Sequence, residues 1–156
     1  LSFFTELKDY AEKNSKFILI QFLGGNGNHK SNVLGLLDAI SSNNLRTEDL
    51  GRRSSDFISS VLSSAHFGIT SFPYLLTEKS SSIATYMEHK LPTICVSDSW
   101  NIRYQIPPFI IDGVWQYEVG GLNTILEGIA KGEVNCYSSL AVAERLMENL
   151  KNIENG

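Results

Sequence analysis

The sequence predicts a doubly wound α/β domain, a parallel β-sheet covered by helices on both faces. Three observations lead there. Short apolar runs of strand length alternate with longer segments whose apolar residues recur at helical spacing. Glycine, proline, serine and asparagine punctuate the joins. The composition, 42% hydrophobic and 19% charged over 156 residues, is that of an ordinary globular protein, and the length suits a single domain spanning 1–156.

The elements follow in order. Phe3, Phe4, Leu7, Tyr10 and Ala11 share a face, which predicts an amphipathic helix over 2–13. The apolar run 17–23 has the length of a buried strand, and the glycine-rich stretch 24–30 breaks it. Ser31 and Asn32 open a second helix bearing Val33, Leu34, Leu36, Leu37 and Ile40. A short polar strand fits 45–50. Ser54 or Ser55 is placed to cap a third helix with Phe57, Ile58, Val61, Leu62 and Ala65 on it. Residues 67–71 are strand-like. Thr77 is placed to cap a fourth helix that carries Ile83, Ala84 and Met87 on one face and ends near Lys90. The strand 92–96 has Pro92 at its first position, where no ladder donor is needed. A looser segment, 97–108, leads to an apolar 109–111, and helices near 121–131 and 138–154 complete the pattern. Trp115 and Tyr117 flank a strand edge and pack there.

Charge and composition exclude several functions. A formal net charge of −4 and a pI near 5.3 lack the clustered cations a nucleic-acid face needs. No apolar run approaches the roughly 20 residues of a membrane helix. Cys95 and Cys136 stand apart, and His29, His66 and His89 have no ligand spacing, so neither a disulfide framework nor a metal site is expected. A reducing cytoplasm is the expected compartment. The chain begins at Leu1 and enters a helical pattern at once, as expected of a piece of a longer polypeptide.

A parallel sheet binds ligands beyond the carboxyl ends of its strands, which directs attention to loops 24–30, 51–55, 72–78 and 97–106. In the first, Gly24, Gly25 and Asn26 would let a ligand approach the backbone, and Lys30 would add a cation near the next helix. Lys30 stands where a dinucleotide fingerprint needs its third glycine, and the spacing is not that of a P-loop, so a plain strand-to-helix turn is the alternative. Arg52 and Arg53 follow Gly51 at a strand end, either as phosphate or base contacts or as a solvated pair.

The segment 73–92 carries the most chemistry. Tyr74 leaves a strand, and Glu78, Lys79, Ser80, Ser81 and Ser82 are expected in the first turn of the next helix. Unsatisfied amides and the positive end of the dipole stabilise an anion there, Lys79 adds a full charge, and the serine hydroxyls can donate. A serine-capped surface helix is the alternative. Glu88 and His89 suit that helix's far end by dipole alone. No Ser–His–Asp or Cys–His arrangement and no carboxylate pair suggests itself, so catalytic residues are unassigned and the chain has the character of a binding half.

At Gly68-Ile-Thr-Ser-Phe-Pro-Tyr74, Glu78-Lys-Ser-Ser-Ser82 and Met87-Glu-His-Lys-Leu-Pro-Thr-Ile94 the sequence resembles the C-terminal, donor-binding domain of GT-B glycosyltransferases, in particular the large family-4-like (group 1) retaining group. The order of elements matches over 1–131, and individual residues match over 67–94. The resemblance implies the Rossmann-like C-terminal half of a GT-B fold, binding a UDP- or GDP-sugar with no further cofactor. The diphosphate would meet the amides that open the helix over 78–89, and a glutamate would hold the ribose. Counting back from Pro92, the family's two glutamates fall on Thr77 and Thr85, the glycine of the helix start on Ser80, and the glycine before the proline on Lys90. Losing the ribose carboxylate removes about 1.5–3 kcal/mol of charged hydrogen bonding. The resemblance further implies an acceptor-binding domain N-terminal to this chain, absent here together with the family's first strand, and a cytoplasmic location that becomes peripheral to the membrane through that domain. A transferase half is the first expectation. A degenerate domain that binds a ligand or protein without transfer is the second, and an unrelated flavodoxin- or receiver-like domain is the third.

Overall fold

The computed structural model describes residues 2–25, 30–98 and 112–132. The described elements are α1 (Ser2–Lys13), β1 (Ile18–Leu23), α2 (Lys30–Ile40), β2 (Leu45–Gly51), α3 (Ser55–Ser64), β3 (Gly68–Thr70), a 3₁₀ turn (Tyr74–Lys79), α4 (Ser81–Glu88), β4 (Thr93–Cys95), β5 (Val114–Gln116) and α5 (Leu122–Ala130). The fold is mixed α/β. Its described strands form two parallel sheets, β1–β2 and β3–β4–β5. The expected strand over 109–111, the helix over 138–154, His29 and Cys136 lie outside the described residues. Among the described residues no helix is long and apolar enough to cross a membrane.

The chain divides into two compact units, one drawn from residues 2–25, 30–61 and 118–126, the other from 62–98, 112–117 and 127–132. In the first, α1 buries Phe3, Leu7 and Ala11, the stripe its spacing predicted. It ends in paired turns, with Ser15 N donating to Glu12 O and Lys16 N to Ala11 O, which require a left-handed residue at Ser15 (φ 50). Strands β1 and β2 run in register from Ile18 opposite Leu45, with an irregularity between Phe22 and Leu23. The expectation that β1 is buried on both faces is corrected. Ile20 is buried, but Phe17 and Leu19, which project to the opposite face, are 59% and 47% exposed. Continuous hydrophobicity implies burial only where a sheet is covered on both sides, and here the Arg46 guanidinium lies over the Phe17 ring, 5.8 Å from its centre.

Helix α3 is capped by Ser54, whose Oγ accepts from Phe57 N at 3.4 Å, one of the two serines anticipated. The helix ends at Ser64, so Ala65 falls just beyond it.

In the second unit β4 pairs with β3 on one side and β5 on the other, and all three of its residues are buried. Ile83 of α4, Cys95 of β4 and Val114 of β5 form a core cluster, with Tyr74 and Met87 packed on it. Gly68 admits the Tyr86 ring against β3. A Cβ there would come within 2.7 Å of two ring carbons. Helix α4 keeps Ile83 inward and Met87 half-buried, while Ala84, expected on that face, is exposed.

The C-terminus of α4 repeats the turn that ends α1. Lys90 N donates to Met87 O and Leu91 N to Tyr86 O, and the buried Leu91 follows as the apolar partner of the motif. Lys90 therefore sits at φ 53, in the region that favours glycine. Lys90→Gly should raise the unfolding free energy by about 1 kcal/mol, measured by chemical denaturation. A neutral or destabilising result would contradict the assignment of this turn.

Candidate functional site

Because β3, β4 and β5 are parallel, their carboxyl ends share one edge of the second unit. From that edge β3 leads to α4 through a tightly bonded connection. Thr70 Oγ1 accepts from Phe72 N at 3.1 Å, and Pro73, with φ −56, opens the 3₁₀ turn. Thr77 Oγ1 donates to Tyr74 O at 2.8 Å, and Ser80 N donates to Thr77 O.

Two expectations are corrected here. The cap of α4 is Ser80, whose Oγ accepts from Ile83 N at 3.4 Å, and not Thr77, which is buried inside the 3₁₀ turn. The first turn of α4 is accordingly Ser81, Ser82 and Ile83. Residues 78–79 close the preceding turn. The expected stretch still meets the helix start, shifted by about one turn of backbone.

The shift sharpens the anion chemistry. Ile83 N is satisfied by the cap, whereas the amides of Ser81 and Ser82 have no hydrogen-bond partner among the described residues. Both residues are exposed, as is Lys79, which precedes them and has no ion-pair partner among the described residues. Two free amides, the positive dipole end and a neighbouring ammonium group favour an oxyanion at this point.

Other residues singled out from the sequence have different employment. Tyr74 packs on the Ile83–Cys95–Val114 cluster, and burial first, then the nearby Cys95, pushes its phenol above the ordinary value. It is half-buried and forms part of the wall of the core. Burial likewise raises the Tyr86 phenol. Thr85 Oγ1 donates to Ser81 O at 2.9 Å, a bond within the helix. Glu88 lies in the last turn of α4, and His89 is its C-cap, with Nδ1 3.2 Å from Ser63 Oγ.

Sequence reasoning did not find Gln116. Its Nε2 donates to Ser97 O at 2.8 Å and to Tyr117 O at 3.2 Å, tying the ends of β4 and β5 together. Its Oε1 is buried and has no hydrogen-bond partner among the described residues. Cys95 Sγ lies 2.9 Å from Phe72 O and 3.2 Å from Ser97 Oγ. A glutamine at the end of a short strand carries no signal of this role.

The first unit has its own group at the carboxyl ends of β1 and β2. Gly24 N donates to Gly51 O, and Asp49 Oδ1 accepts from Gly51 N, so the two strand ends are held together. Both glycines have positive φ, +107 and +63. Of the two adjacent arginines, Arg53 covers the Phe57 ring at 5.3 Å, whereas Arg52 lies beside Gly25. Asn26 lies outside the described residues, as do the side chains of Lys30 and Glu78. The expected residues thus gather as Gly24, Gly25 and Arg52 in one unit and as Lys79, Ser80, Ser81 and Ser82 in the other.

Comparison with protein-family models, curated proteins and solved structures gives no match to this chain.

The corrected cap is directly testable. Ser80→Ala should cost about 1 kcal/mol of unfolding free energy in a denaturant titration, while Ser81→Ala, at a helical position, should change it by only a few tenths. Equal effects would remove Ser80 from the capping role.

Proposed function

We propose that this chain is the nucleotide-sugar-binding half of a glycosyltransferase, a Rossmann-like doubly wound domain of the GT-B kind. The observation that carries the proposal is the start of α4, where the Ser81 and Ser82 amides, without a hydrogen-bond partner among the described residues, lie next to Lys79. That arrangement suits a diphosphate, whose charge is spread over several oxygens and can be met by backbone donors and a cation together. A UDP- or GDP-sugar is the substrate that the resemblance over 67–94 attaches to this helix. A second observation supports the alignment: Lys90, matched to a family glycine, holds the left-handed φ that glycine would hold without strain.

In this reading the domain supplies donor binding, with no further cofactor. The acceptor is held by an N-terminal domain, and transfer requires both. The location is cytoplasmic, peripheral to the membrane through the acceptor domain. The catalytic residues are unassigned, because the described residues at the helix start bind and orient charge but include no placed acid or base.

A second reading has its own observation. At the two positions where the resemblance expects glutamates, Thr77 and Thr85 each donate the hydroxyl to a backbone carbonyl nearby. Neither presents a carboxylate to a ribose. This favours a domain that binds the nucleotide weakly and serves recognition without transfer.

Calorimetry of the full chain with UDP, GDP and their sugars separates the two readings from failure of both. The expected result is binding that weakens about tenfold or more in Lys79→Ala, the loss of one charge-assisted contact. Binding indifferent to Lys79 would remove α4 from the site, and no binding of any of these nucleotides would overturn the donor-binding proposal.

A further inference from the structure

The β1–β2 sheet has two faces of opposite character. Its register puts Ile18 beside Leu45 and Ile20 beside Thr47 on one face, and Leu19 beside Arg46 and Gln21 beside Glu48 on the other. On the first face Ile20 and Leu45 are buried, with Ile18 and Thr47 half-buried. On the second, Leu19, Gln21, Arg46 and Glu48 are all exposed, and so is Phe17, which precedes β1 on the same side. Parallel sheets occur with both faces covered, so an open face bearing Phe17 and Leu19 calls for a cover.

The polar members of the face indicate what that cover is. Arg46 and Glu48 stand two residues apart on β2 with opposite charges, and neither has an ion-pair partner among the described residues. Both side chains are held over the sheet from β1. The Arg46 guanidinium lies 5.8 Å from the centre of the Phe17 ring, and Glu48 Oε2 accepts from Gln21 Nε2 at 2.8 Å. A partner surface of one sign of charge would attract one of the two and repel the other. A surface carrying the same pair in reversed order satisfies both, and a second copy of this face is such a surface. A two-fold axis lying across the strands at the level of Ile20 and Thr47 stacks the two sheets with their strands antiparallel. Arg46 of each copy then comes over the partner's Glu48, and Leu19 over the stem of the partner's Gln21.

We propose that the open face of the β1–β2 sheet is a self-association surface, on which a second copy of this chain docks through Phe17 and Leu19 with Arg46 and Glu48 paired crosswise. The apolar pair supplies most of the affinity, because exposed ion pairs contribute little, and the crossed charges set the register of the two copies. The surface belongs entirely to the first unit and stands apart from the donor-binding reading, whose helix α4 belongs to the second.

The test follows the full chain by sedimentation over a range of concentrations. The expected result is a monomer–dimer equilibrium that Leu19→Thr, which keeps a strand-forming residue, weakens about tenfold. Arg46→Glu leaves a face with two anions and Glu48→Arg one with two cations, so each variant alone should weaken self-association by about tenfold or more. Mixed in equal amounts, these two variants are complementary and should form a heterodimer of close to the original affinity. The exchange of both charges in one chain, Arg46→Glu with Glu48→Arg, should restore the homodimer. Recovery in the mixture is a result that misfolded variants cannot give. A chain that stays monomeric at every concentration would overturn the proposal. So would a dimer indifferent to Leu19→Thr and Arg46→Glu, which would put the contact elsewhere, and so would single-variant losses that neither the mixture nor the exchange repairs.

Discussion

The hydrogen-bonded ladder on both sides of β4 is the constraint from which the α4 site follows. Thr93, Ile94 and Cys95 are all fully buried, so every backbone donor and acceptor among them has to be met by a neighbouring strand. The ladder continues past the strand ends, through Gly68 N to Pro92 O, Val96 N to Thr70 O and Tyr117 N to Cys95 O. It fixes where β3 stops. Cys95 and Val114 then receive Ile83, which anchors α4 by the first residue its cap bonds to. A buried strand thus determines the place at which an exposed helix presents its first amides.

The chemistry at that place arises from an asymmetry among three serines. Any of Ser80, Ser81 and Ser82 could cap a helix, and only the first does. Capping satisfies the amide of Ile83 and leaves those of Ser81 and Ser82 for another acceptor. A carboxylate in that turn would have answered them internally, and none of the first-turn residues of α4 is acidic. The attraction for an anion at such an exposed point is modest, about 0.3–1 kcal/mol from the dipole, and screened by salt. Lys79 and direct hydrogen bonds would therefore have to supply most of the binding of the proposed anion.

Much of the fold was legible in the sequence because periodicity reports burial. Phe3, Leu7 and Ala11 lie at intervals of four and are the buried residues of α1. Ser54 caps the helix it precedes, and Pro92 leads into β4 without breaking it. The start of α4 was misread because threonine and serine have similar capping preferences, and sequence does not reveal that Pro73 initiates a 3₁₀ turn. That turn consumes Thr77 and passes the cap to Ser80. The six apolar residues of the run 17–23 misled for a different reason: hydrophobicity shows that a strand tolerates burial, and the sheet's cover decides whether burial occurs. The Gly25–Arg52 contact and the buried Gln116 amide were invisible because both join residues far apart in sequence, or at a strand end where any residue type fits. The left-handed turn at Lys90 was not legible, because lysine carries no signal for a positive φ.

The claim that α4 opens on an anion site is tested most directly by following the backbone amide resonances of Ser81 and Ser82 while UDP is added to the full chain. The account predicts that both move and saturate together, with the direction expected of amides acquiring a charged acceptor, while Ile83, whose amide belongs to Ser80, moves least of the three. Resonances at Ser81 and Ser82 that stay in place while UDP binds elsewhere, or with no binding at all, would contradict it.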